Sequence, residues 1–190
     1  MKLERTRMKS CVLHSTAKIE SDPLELDEVE APAPVGDQIL VRVSACGVCR
    51  TDLHVIEAEL PQRKMPVIPG HQVVGIVEKV GDRVTRFKPG ARVGIAWLHK
   101  TCGKCEYCRA GKENLCDNAA FTGYTVDGGY AEYALASEQF TYAIPEAGSA
   151  SEVRVLCVPL RLFVRHSLSI IKYIIDMILC NCRLNNNSRN

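Results

Sequence analysis

The chain has 190 residues, 46% of them hydrophobic, with 24 Lys plus Arg set against 22 Asp plus Glu. That is apolar material for the core of one domain or a little more. The near balance of charge gives nucleic acid or an acidic membrane nothing to answer, so neither is expected as a partner.

Residues 10–14 read as a short strand behind a basic leader. Residues 27–37 hold Pro32, Pro34 and Gly36 and read as a turn-rich connection. The alternating, β-branched run 38–45 predicts a strand. The spacing over 51–59 predicts a helix, with Thr51 or Asp52 as its N-cap. Pro66 and Pro69 keep the chain extended up to Gly70. Residues 72–80 read as a strand in which Gly75 marks a bulge or a close backbone approach. Turns at Gly81-Asp82 and 87–90 lead to a strand over 91–97. Past a cysteine-rich loop, strands are expected over 131–136 and 140–144. Many short strands at close spacing predict a mainly β fold with short helices, built as a partly closed barrel.

The pattern changes after about residue 150. The stretch 153–182 is rich in Ile, Leu, Val and Arg, and the last residues are Asn-rich. The apolar run 168–180 holds Lys172 and Asp176 and falls short of the ~20 residues that span a bilayer. The organisation expected is a domain over 1–150 and a divergent tail over 151–190, helical or disordered.

Ten cysteines are many for a chain of this length. The charged N-terminus has no apolar run behind it, which argues against secretion and predicts a cytoplasmic protein. In a reducing compartment clustered cysteines are metal ligands more often than bridges. Cys102, Cys105, Cys108 and Cys116 spell C-x2-C-x2-C-x7-C, which places four thiolates on one zinc ion in a lobe over 98–117. Lys100, Lys104, Arg109 and Lys112 surround the loop and favour thiolates. Four sulfurs leave no open position, so this zinc is expected to be structural.

Two further segments carry ligand-type residues: Gly47-Val48-Cys49-Arg50-Thr51-Asp52-Leu53-His54, and Pro69-Gly70-His71-Gln72-Val73-Val74-Gly75. With the cysteine loop and Trp97, they resemble the zinc-dependent alcohol dehydrogenases of the medium-chain dehydrogenase/reductase superfamily, over residues 10–146. The resemblance implies a GroES-like barrel as catalytic domain. It implies a second, catalytic zinc on Cys49 and His71, with Cys157 at about the spacing of the third ligand. It casts Thr51 as the hydroxyl that relays the alcohol proton, and His54 as the outer member of that relay. Asp52 then orients His71, Arg50 meets the cofactor pyrophosphate, and Trp97 lines the substrate pocket. NAD(P) and a small alcohol or aldehyde are the implied cofactor and substrate.

Two departures stand out. Gln72 occupies a position where the family usually has glutamate, keeping a carbonyl oxygen but losing the charge. The 45 residues that follow Pro145 nowhere spell the G-x-G-x-x-G of a Rossmann domain. The expectation is therefore a truncated dehydrogenase that lacks its nucleotide domain and turns over poorly alone. The rival expectation is an inactive zinc-binding fragment or a modulator of full-length subunits. A homo-oligomer and a lone chain are both left open.

Overall fold

The computed structural model describes residues 7–145. Nine strands carry the fold. A hairpin joins β1 (Arg7–Leu13) to β2 (Leu24–Glu30) in antiparallel register, with Leu13 opposite Leu24. The main sheet uses β3 (Gln38–Gly47), β4 (Gln72–Val80), β5 (Arg92–Ile95), β8 (Tyr133–Ser137) and β9 (Thr141–Ala143). Its order is β8-β3-β4-β5-β9, antiparallel throughout. β6 (Leu98–Lys100) and β7 (Ala120–Phe121) form a third, small sheet at the root of the cysteine loop. The sheet curls into a half-closed, GroES-like barrel, and Ser10 bridges β1 to it through Ala131. The mainly β reading of the sequence holds.

The inward face follows from period-2 alternation along each strand. Ile39, Val41 and Val43 from β3 meet Val73 and Val77 from β4 and Val93 and Ile95 from β5, all buried. β3 and β4 shift register twice, around Leu40/Val41 and Val43/Ala45. Gly75 sits opposite Val43 at the second shift. A Cβ built there would lie 2.3 Å from the Arg42 carbonyl oxygen. The glycine thus marks a close backbone approach.

The first helix, α1 (Arg50–Ile56), is shorter than the sequence suggests and starts earlier. Its N-cap is Cys49, whose sulfur accepts the Thr51 N–H at 3.3 Å. Asp52, three residues into the motif, reaches back to the Cys49 N–H at 2.8 Å. Together they form a capping box with sulfur in place of a hydroxyl. Thr51 and Asp52 are therefore not the cap. Val55 and Ile56 bury against Leu13, Ile19 and Val67, at roughly 1.5–3 kcal/mol for each side chain.

The helix stops because Ala58 adopts a left-handed conformation, φ 59°. An L-residue with a Cβ is strained there by roughly 1–2 kcal/mol. Ala58→Gly is expected to raise stability by about 0.5–1 kcal/mol, part of the relief being lost to the freer unfolded chain. Urea unfolding of the two chains checks this, and a less stable variant contradicts it.

Other differences are local. β2 takes the first residues of the connection expected over 27–37. The expected strand 91–97 breaks after Ile95 and resumes as β6. Phe140 belongs to a 3-10 turn ahead of β9. Among the described residues no helix is long and apolar enough to cross a membrane.

Candidate functional site

The cysteine loop closes on itself. Cys105 N-caps α2 (Glu106–Arg109), and its sulfur accepts the Cys108 N–H at 3.4 Å. The Cys102 sulfur accepts the Cys105 N–H at 3.4 Å, and Cys116 accepts that of Cys102 at 3.5 Å. Backbone N–H groups aimed at sulfur stabilise the thiolate. Bonds from Lys104 and Cys105 accordingly draw the Cys102 thiol down to about 6. Sulfur separations are 3.4 Å for Cys105–Cys108 and 3.9 Å for Cys102–Cys108, and all four sulfurs lie within 4.8 Å of one another. A tetrahedron with metal–sulfur bonds of ~2.3 Å has edges of about 3.8 Å. The donor set and its size fit zinc.

The second cluster joins two elements. Cys49 stands at the mouth of α1 and His71 just before β4, and the Cys49 sulfur is 3.2 Å from His71 Nε2. A shared zinc would set these atoms about 3.6 Å apart. Asp52 braces the pair from behind. Its Oδ1 lies 3.1 Å from His71 Nδ1 and accepts the Gly70 N–H at 3.2 Å, while its Oδ2 holds the Cys49 N–H. With Nδ1–H donating to Asp52, Nε2 presents its lone pair toward Cys49.

Gly70 lets His71 reach this place. Its φ is 93°, and a Cβ there would fall 2.6 Å from the Tyr130 ring and 2.9 Å from the Cys46 sulfur. Tyr130 is itself fully buried. Burial, and then the Asp52 charge, push its phenol well above the usual range, so it stays neutral. The packing around Asp52 was not foreseen for Tyr130. The sequence offered one signal for it, the Gly128-Gly129 pair, whose missing side chains let the chain pass close to Pro69 and Gly70.

Thr51 and His54 sit three residues apart on the partly exposed side of α1, hence on neighbouring positions of one face. Arg50 opens the same helix. Trp97 meets His71 edge-on at 4.9 Å and stacks on Phe121 at 5.0 Å and Tyr124 at 5.8 Å, giving the pair an aromatic wall. Gln72 Oε1 is buried with no hydrogen-bond partner among the described residues. Cys157 and the stretch 151–190 lie outside the described residues. The contact between His54 Nδ1 and the Glu59 carboxylate also went unanticipated.

A half-closed barrel that carries a sealed four-sulfur cage and an unsaturated sulfur–imidazole pair has the build of a metal-dependent dehydrogenase's catalytic domain. Residues 36–146 match the alcohol dehydrogenase GroES-like domain, and the chain belongs to that family. An alcohol dehydrogenase of Geobacillus stearothermophilus is 47% identical over 146 residues, which cover 76% of this chain and 42% of that protein. The cobalt- and zinc-bound thermostable alcohol dehydrogenase of Pyrobaculum aerophilum superimposes with a TM-score of 0.67 at 30% identity, over 73% of this chain and 41% of that one. A protein of Escherichia coli CFT073 described as a short chain alcohol dehydrogenase, complexed with NADH, gives 0.70 at 30%, over 80% and 42%. The chain thus spans about two fifths of the length of the relatives it matches.

Proposed function

We infer that the chain is the catalytic domain, over residues 1–150, of a zinc-dependent, NAD(P)-linked dehydrogenase acting on primary alcohols and aldehydes, in the cytoplasm. The observation that carries this reading is the Cys49–His71 pair braced by Asp52, in a fold that also carries a complete four-sulfur cage. Cys102, Cys105, Cys108 and Cys116 would hold a structural zinc. Cys49 and His71, with Cys157 as third ligand, would hold a catalytic one. Two thiolates and one imidazole leave a fourth position open to substrate. When bound, that zinc supplies a Lewis acid that polarises the substrate oxygen, and a nicotinamide cofactor supplies the hydride acceptor.

The chain's own residues do the rest. Asp52 keeps His71 in one tautomer and one orientation, which sustains the affinity of the pair for metal. Thr51 takes the substrate's hydroxyl proton in alcohol oxidation, and His54 carries it toward solvent. Arg50 faces the cofactor's pyrophosphate. Trp97 with Phe121 and Tyr124 shields the reacting centre from water.

Metal analysis together with turnover tests the reading. The purified chain is expected to carry close to one tightly held zinc and a second one that a chelator removes first. Turnover is to be assayed with NAD or NADP and a panel of primary alcohols. Oxidation that depends on the weaker zinc supports the enzyme. Zinc in the four-cysteine site with no second, chelator-sensitive zinc favours the rival, a non-catalytic zinc-binding chain.

A further inference from the structure

We propose that Glu59 is a positioning residue for His54, holding its imidazole as the Nδ1–H tautomer so that Nε2 is the nitrogen that accepts the proton. The proposal rests on the reading of His54 as the outer member of the proton route.

Four residues lie between the two, and on an uninterrupted helix positions i and i+5 do not share a face. The left-handed turn at Ala58 brings them together. It ends α1 after Ile56, and the Leu60 N–H then folds back onto the His54 carbonyl at 3.2 Å. Glu59 is thereby returned over the last turn of the helix, where its carboxylate lies in hydrogen-bond contact with His54 Nδ1. The other nearby acid does not compete. Glu57 is engaged by the Ile19 N–H at 3.0 Å and by Lys18 at 3.4 Å.

The His54 and Glu59 side chains are 31% and 42% exposed. A pair this open adds little to stability. Its consequence is which ring nitrogen carries the hydrogen. A free neutral imidazole in water favours the Nε2–H form, in which Nε2 cannot accept. A carboxylate bonded to Nδ1–H reverses that preference. In alcohol oxidation the proton released from the substrate hydroxyl by way of Thr51 lands on Nε2, while the Nδ1 hydrogen stays against Glu59. The imidazolium so formed lies next to a carboxylate, and its Nε2 proton then passes to water, restoring the starting form.

Long-range proton–nitrogen correlation on the full chain, labelled with 15N-histidine and held near pH 8, reads the tautomer directly. His54→Gln identifies the signal. The Nδ1–H form is expected to dominate in the parent chain and to become the minor form in Glu59→Ala. Glu59→Gln, which keeps only a neutral acceptor, is expected to fall between. Unchanged signals from His14, His71 and His99 show that the fold survives each substitution. A dominant Nε2–H form in the parent chain, or a ratio that Glu59→Ala does not move, overturns the proposal. No metal, cofactor or turnover enters this measurement, so failure of the dehydrogenase reading would leave its outcome intact.

Discussion

Serine at both Cys102 and Cys105 is expected to remove about one zinc per chain and to unfold the lobe over 98–117 while the barrel stays folded. The lobe has almost nothing else to hold it. α2 and the 3-10 turn Glu113–Leu115 bury no residue, and Leu115 is half exposed. Within it the buried apolar contribution comes from Cys116, itself one of the four clustered sulfurs. Structural zinc sites in small peptides contribute on the order of 10–16 kcal/mol of apparent binding free energy, which becomes folding free energy where no apolar core exists. Two sulfurs cannot retain the ion against solvent, and a serine hydroxyl is a poor thiolate substitute at neutral pH. The barrel core draws on β3, β4, β5 and β8, none of which passes through the lobe. Zinc content, together with trypsin cleavage at Lys104 and Lys112, gives the readout. An unchanged zinc content in the double variant removes the structural assignment.

The lobe was readable from the sequence because its information is local. Four cysteines within one short loop fix their own geometry through two-residue spacings and N–H···S bonds. The strands β3 and β4 were readable for a similar reason, since each alternates on its own. β2 was not. Glu25, Asp27, Glu28 and Glu30 make it look like a loop, and only its pairing with β1 turns it into a strand. The cap of α1 was misplaced because sulfur is a weak acceptor and is seldom weighed as one. Cys49 can serve only because Asp52 closes the box from the other side.

The second site was legible in its parts but not in its support. Cys49, Asp52 and His71 could be named from the resemblance to a known family. Their assembly depends on Gly70 in a left-handed conformation and on the Tyr130 ring, contacts formed across more than fifty residues. The Glu59 contact lay beyond reach because it depends on one backbone angle at Ala58. Helical periodicity would have continued through that residue and turned Glu59 away from His54.

Asp52→Asn is the second substitution with a large expected effect. The Asp52 side chain is 3% exposed and faces three N–H donors: those of Cys49 and Gly70, and Nδ1 of His71. A carboxylate can accept from all three. An asparagine amide has one oxygen, so its NH2 group must point at a donor on one side or the other. Turned one way it faces the Cys49 N–H and undoes the cap of α1. Turned the other it faces Gly70 and His71 and releases the imidazole. Either arrangement leaves buried donors unsatisfied, at roughly 1–3 kcal/mol each. A loss of about 2–4 kcal/mol in stability is expected, with Asp52→Ala at or above the upper end because it also leaves a void. The metal consequence is separate. Releasing His71 from its carboxylate is expected to weaken the second zinc about 10–100-fold and to leave the four-cysteine zinc in place. Denaturant unfolding measures the first effect, and chelator competition measures the second. If Asp52→Asn stays within about 0.5 kcal/mol of the parent chain, its carboxylate does not organise the site. If stability falls but the second zinc is held as before, Asp52 supports the fold of α1 and not the imidazole.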